Sequence, residues 1–182
     1  MIEVSSPTRF DLAGGTLDLW PIWAMLGEAC TINVAIDIQT HCFLQPREDK
    51  RVVIESLDFD KKWEFESLAS FLADTHPQLS FYQAHVSYWH PRDGFKLKTQ
   101  SESPVGGGLG GSSSLSISVF KAFMKWLEIT ELNINEIVRS CANIEAKILK
   151  TPTGLQDYYP AAMKGLNIID FTTAGPLVKV IK

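Results

Sequence analysis

The stretch ESPVGGGLGGSSSLSIS, residues 102–118, constrains this chain more than any other. It holds five of the twelve glycines, and it divides two kinds of pattern. Before it, short runs at 2–5, 30–36, 40–45, 52–55 and 95–99 alternate or concentrate β-branched and apolar residues, as strands do. Segments 67–73 and 80–88 look helical, punctuated by His76-Pro77. After it the period changes. Leu115, Val119, Phe120, Phe123, Met124 and Leu127 recur at helical spacing and predict a helix over 112–128. Ile137, Val138, Cys141, Ile144 and Ile148 predict a second over 135–150. A short helix over 155–163 and strands at 166–171 and 177–181 complete the pattern. The expected class is α+β, with mixed strands first and a helical layer after.

The run itself has three possible meanings. A flexible linker is the default for Gly/Ser-rich sequence. Here the serines lead directly into an amphipathic helix, serine is a good N-cap, and the glycines free the backbone to turn its N–H groups towards one point. A helix N-terminus with free amides is a ready anion site, so a phosphate-binding loop is favoured. Gly106, Gly108 and Gly111 also satisfy G-x-G-x-x-G, but that fingerprint requires a buried strand before the loop and a βαβ unit after it. FKLKTQSESP is polar and carries a proline, and a second helix follows the first. No G-K-[ST] is present for a Walker A loop.

Composition narrows the partners. The net charge of −4 offers no basic excess for nucleic acid or an anionic membrane surface. No apolar run approaches the roughly 18 residues of a membrane helix, and no signal-peptide pattern opens the chain. Cys30, Cys42 and Cys141 are widely spaced and suit a reduced cytoplasmic compartment better than a disulfide framework or metal cage. The four histidines show no ligand spacing, and the five tryptophans read as core or rim. The expectation is a cytoplasmic protein of one domain.

Three motifs then occur in order. Pro104–Ser114, P-V-G-G-G-L-G-G-S-S-S, resembles the second motif of the GHMP kinases (galacto-, homoserine, mevalonate and phosphomevalonate kinases). Pro7–Asp18, P-T-R-F-D-L-A-G-G-T-L-D, is similar to the family's first motif. The stretch I-E-A-K-I-L-K-T-P-T-G-L-Q-D-Y-Y-P-A-A-M-K-G-L-N resembles the acidic segment of its sugar-1-kinase branch, that of the heptose-phosphate kinases. The resemblance implies the ribosomal protein S5 domain 2-like fold and ATP- and Mg²⁺-dependent phosphorylation of a sugar hydroxyl, the anomeric one by the family pattern. It implies that Pro104, Gly106, Gly107, Gly108, Leu109, Gly110, Gly111, Ser112 and Ser113 surround the ATP phosphates. Ser112 and Glu145 fall where the family holds Mg²⁺, Asp157 and Arg9 where it acts on the acceptor hydroxyl, and Gly15, Thr16 and Asp18 where it holds the sugar.

On residue type alone each role has a plainer alternative. Ser112 and Asp157 are good helix caps, Glu145 suits a solvated helix face, Arg9 a surface salt bridge and Asp18 a turn. Leu155-Gln156-Asp157-Tyr158 stands where many of the branch carry Lys-Gln-Asp-Gln, which removes one contact to a phosphorylated acceptor. GHMP kinases also run to nearly twice this length and place a third glycine motif in a C-terminal domain. The expectation is therefore an N-terminal ATP-binding domain over 1–182, with the C-terminal domain absent or supplied by a second chain. The rival expectations are a catalytically silent module that binds sugar or nucleotide, and a mevalonate- or homoserine-type kinase.

Overall fold

The first two strands set the frame of the computed structural model, which describes residues 1–182. β1 (Ile2–Ala13) pairs antiparallel with β2 (Ala29–Arg47). β2 fuses the runs expected at 30–36 and 40–45 into one strand of 19 residues. Opposite the Pro7–Thr8 step, Asp37 and Ile38 are extra on β2, so the ladder bulges there and the strand continues. Pro7, which has no N–H to donate, sits at that irregularity.

β2 is the hub of the sheet. β1 occupies one of its edges. The other is shared by β6 (Leu166–Thr172), against residues 29–34, and β5 (Gly94–Ser101), against residues 40–47. β3 (Val52–Ser56) runs parallel to β5, and β4 (Lys61–Phe65) and β7 (Gly175–Ile181) form the outer edges. β4 escapes the sequence pattern because only Trp63 and Phe65 face the core, while two lysines and a glutamate keep this edge polar.

Helices cover the sheet. α1 (Ile22–Leu26) is a short turn without buried residues and has no periodic signal. α2 (Leu68–Ala73) starts at a Ser67–Ser70 capping box, and α3 (Ser80–Trp89) follows a 3₁₀ turn over Pro77–Leu79. α4 (Gly111–Trp126) and α5 (Ile134–Leu149) match the two expected helices within two residues. Asn133 and Glu136 cap α5 reciprocally. α6 (Tyr158–Met163) is shorter than expected, because 155–157 form a turn that serves the site.

Two apolar clusters lie between the layers. One joins Leu44, Ile54, Phe95 and Leu97 of the sheet to Phe71, Leu79 and Val86, and takes Val119 and Phe123 from α4. The other joins Ile169 and Phe171 to Val138, Cys141, Tyr158 and Tyr159, and takes Ile117 and Phe120 from α4. Each fully buried side chain of this size contributes roughly 1.5–3 kcal/mol. Because α4 belongs to both clusters, its N-terminus is held firmly. The expected α+β class is the observed one. No helix is long and apolar enough to cross a membrane.

Candidate active site

The glycine run folds into a loop whose conformation only glycine accepts readily. Gly106, Gly108 and Gly110 have φ of +76°, +70° and +68°, alternating with ordinary residues. Such alternation swings successive amides towards a common side. Gly110, not a serine, is the N-cap of α4, and no side chain caps the helix. Ser114 N is the first amide bonded within the helix, to Gly110 O, which leaves those of Gly111, Ser112 and Ser113 free at the dipole's positive end.

The expected capping role of the serines is thus corrected. Ser114 Oγ donates to Ser6 O at 3.0 Å and lies 2.8 Å from Thr40 Oγ1, which also meets Ser118 Oγ at 3.1 Å. These small polar residues pin α4 against β1 and β2. Ser112 Oγ points elsewhere and donates to Glu145 Oε1 at 2.8 Å. The other oxygen of Glu145 accepts from the Tyr158 hydroxyl, whose pKa is driven up by burial and by the Glu145 charge, so it stays protonated. Glu145 is therefore an engaged group facing the loop, not a free solvated carboxylate.

β1 supplies the central cation. Arg9 is 8% exposed, which excludes the surface salt bridge. Its backbone N–H donates to Leu109 O at 3.0 Å, and its guanidinium donates to Gly108 O, so the loop is clamped to the strand. Its Nε lies 2.9 Å from Asp157 Oδ1 and 3.1 Å from Asp11 Oδ1. Asp157 occupies the N-cap position of α6 but makes no capping bond. Its carboxylate serves the arginine instead.

Asp18 is 4% exposed and accepts the Gln156 N–H at 2.9 Å. A Cβ at Gly154 would overlap its carboxylate, so only glycine lets the 153–157 turn close on it. Burial raises the Asp18 pKa; the Gln156 N–H opposes the rise and the Asp157 charge adds to it. Asp11 is also raised, by burial first, with Arg9 opposing and the charges of Asp157 and Asp18 adding. Gly14 turns at φ +79° and a side chain there would collide with Cys30 O, two reasons for glycine at this position; Thr16 shares the left-handed region at +76°.

The glycine loop, Ser112, Glu145, Arg9, Asp11, Asp18 and Asp157 line one open cleft of about 750 Å³, and every candidate site residue read from the sequence lies on its wall. No histidine or tryptophan does. Leu155 packs against the second apolar cluster and not in the cleft. Asp11 and Gln156, which sequence reasoning passed over, are wall residues too. Asp11 stands two residues from Arg9 on a strand, and a period of two would have placed it on the same face.

A glycine loop feeding a helix, an arginine–aspartate pair and a hydroxyl–carboxylate pair thus meet in one cleft of an α+β domain. Residues 78–165 match the GHMP kinases N terminal domain. The chain is 34% identical over 173 residues to D-glycero-alpha-D-manno-heptose 7-phosphate kinase of Campylobacter jejuni, across 93% of this chain and 50% of that protein. It is 30% identical over 139 residues to galactokinase of Clostridium beijerinckii, across 71% of this chain and 35% of that protein. The crystal structure of a D-glycero-D-manno-heptose 1-phosphate kinase from Bacteroides thetaiotaomicron superposes with a TM-score of 0.86 at 26% identity, over 100% of this chain and 60% of that one. The chain belongs to the GHMP kinases and spans half or less of the length of these curated relatives.

Proposed function

We propose that the chain is the nucleotide- and acceptor-binding N-terminal domain of an ATP- and Mg²⁺-dependent sugar kinase that transfers a phosphoryl group to a sugar hydroxyl, the anomeric one in the family pattern. The observation that carries this reading is the meeting of Arg9 with Asp157, 2.9 Å apart, beside the free amides of the glycine loop.

Phosphoryl transfer asks for positioning and charge stabilisation more than for covalent chemistry. The amides of Gly111, Ser112 and Ser113 and the loop before them would receive the ATP phosphates. Ser112 and Glu145 suit Mg²⁺, a hard cation that takes one or two carboxylates and fills its shell with water and phosphate oxygens. When bound, the ion offsets the phosphate charge. Asp157 would accept the proton of the acceptor hydroxyl or orient that hydroxyl for in-line attack. Arg9 holds Asp157 in place and brings a permanent positive charge to the transferring group. Gly15, Thr16 and Asp18 would hold the sugar.

The test is nucleotide binding and ADP release over a panel of hexoses, heptoses and their phosphates, with the chain alone and joined to a C-terminal GHMP domain. The joined protein should turn over, and Asp157→Ala should abolish turnover while nucleotide still binds. Unchanged turnover in Asp157→Ala would remove that residue from the chemistry. Absence of nucleotide binding in the joined protein would sink the kinase reading.

A further inference from the structure

We infer that the acceptor end of this cleft takes a neutral polyol, a sugar without a phosphate of its own, and that Asp11 and Gln156 read its hydroxyls. The inference rests on the kinase reading and names its acceptor class.

Gln156 is only 6% exposed, yet its carboxamide oxygen finds no hydrogen-bond partner in the protein. Its backbone is fully engaged: the N–H donates to Asp18 and the C=O accepts from Asn33 at 3.1 Å. The fold thus fixes the main chain on both sides and leaves the side-chain amide oxygen without a partner on the cleft wall. Asp11 Oδ1 is buried against Arg9 Nε, 3.1 Å away, which leaves Asp11 Oδ2 as the oxygen turned towards Gly15. Buried polar groups in native proteins are almost always satisfied, so the partnerless Gln156 oxygen, on a residue of the cleft wall, points to a partner that arrives from the cleft.

The two side chains converge on one gap. A Cβ built on Gly15 would lie 3.8 Å from both Asp11 Oδ2 and Gln156 Nε2. Glycine leaves that gap open between an acceptor on one side and an amide, donor and acceptor at once, on the other. A hydroxyl both donates and accepts, and vicinal hydroxyls match such a pair.

Charge decides against a phosphorylated acceptor. Arg9 is the one cationic side chain on the cleft wall, against Asp11, Asp18, Asp58, Glu145 and Asp157. It is already committed to Asp157, Asp11 and the Gly108 carbonyl. Leu155, beside Gln156, turns into the core and brings no charge. A phosphate on the acceptor would therefore meet three carboxylates with no free cation on this wall, and like charges brought together repel strongly where water is scarce.

Isothermal titration of this chain, with and without Mg·ADP, tests the inference. The probes are D-mannose, D-galactose, D-glucose and D-glycero-D-manno-heptose against their 6- or 7-phosphates. At least one free sugar should bind about tenfold or more tightly than its phosphate. Gln156→Leu and Asp11→Ala should each weaken that sugar about tenfold with the ADP affinity unchanged. Asp11→Asn should narrow the preference over the phosphate, and Gln156→Glu, equal in shape, replaces Gln156→Leu if the latter fails to fold. Equal or tighter binding of the phosphates, no binding of any free sugar, or unaltered sugar affinity in the variants would overturn the inference. Retained ADP binding in those cases leaves the kinase reading standing, whereas lost ADP binding with intact sugar preference counts against the kinase reading alone.

Discussion

Arg9 Nε lies 2.9 Å from Asp157 Oδ1 although 148 positions separate the two residues. The same guanidinium donates to the carbonyl of Gly108, so one side chain ties β1, the glycine loop and the turn before α6. Lysine keeps the charge but not the planar fork. Arg9→Lys should therefore cut kcat by about a hundredfold or more in the joined protein, with a smaller change in nucleotide affinity. Arg9→Ala should also destabilise the isolated chain by about 2 kcal/mol, read from urea unfolding, because Asp11 and Asp157 lose their buried counter-charge.

Ser112 and Glu145 divide the proposed metal task unequally. Glu145→Gln keeps one acceptor oxygen, replaces the other with an NH2 donor and loses the charge. It should raise the Mg²⁺ concentration for half-maximal nucleotide binding by about tenfold or more, and Ser112→Ala should raise it less. A magnesium titration monitored by nucleotide fluorescence separates the two. Equal effects would show that the carboxylate is not the principal ligand.

The glycines are not equivalent. A Cβ at Gly154 would overlap the Asp18 carboxylate, so Gly154→Ala should destabilise by about 1–3 kcal/mol and displace Asp18. Gly15 has room for a Cβ and needs no left-handed backbone. Gly15→Ala should leave the thermal midpoint nearly unchanged and weaken only sugar binding.

Stability on the acid side should follow His85. Its ring is fully buried, with Nε2 3.1 Å from Ser116 Oγ and Nδ1 unpartnered. Burial lowers its pKa to about 3. Between about 6.5 and 3 the unfolded chain binds a proton there and the folded chain does not. Stability therefore falls as pH falls through that window, by up to about 1.4 kcal/mol per unit, and is unaffected above it. Asp11 and Asp18 act in the opposite sense, because their raised values let the folded state hold protons more tightly near the carboxylate range. His85→Gln should flatten the decline in urea midpoint between pH 6 and 4.

What was legible in the sequence was local or periodic. α4 and α5 announce themselves through apolar spacing, and the loop through glycines that supply left-handed backbone. β4 and α1 were hidden because an edge strand and a surface turn bury too little to leave a pattern. The fusion of two runs into β2 depended on a bulge set by its partner. Asp157 looks like a helix cap in one dimension, and only the arrival of β1 withdraws it from that task. Gln156 left no signal at all, since an unpartnered buried atom is a property of the packed molecule.

The long hub strand also dictates when the site can come into being. Ala29 pairs with Phe171, and Arg9 waits for Asp157. A nascent chain that has just released the glycine loop can assemble the strands from β1 through β5, yet it still lacks β6 and most of the second apolar cluster. Contacts of such sequence separation form slowly, and until they do the half-made sheet offers an unpaired edge on β2. The cleft is thus one of the last parts to assemble during synthesis, and substitutions in β6 should depress soluble yield before they touch ligand affinity.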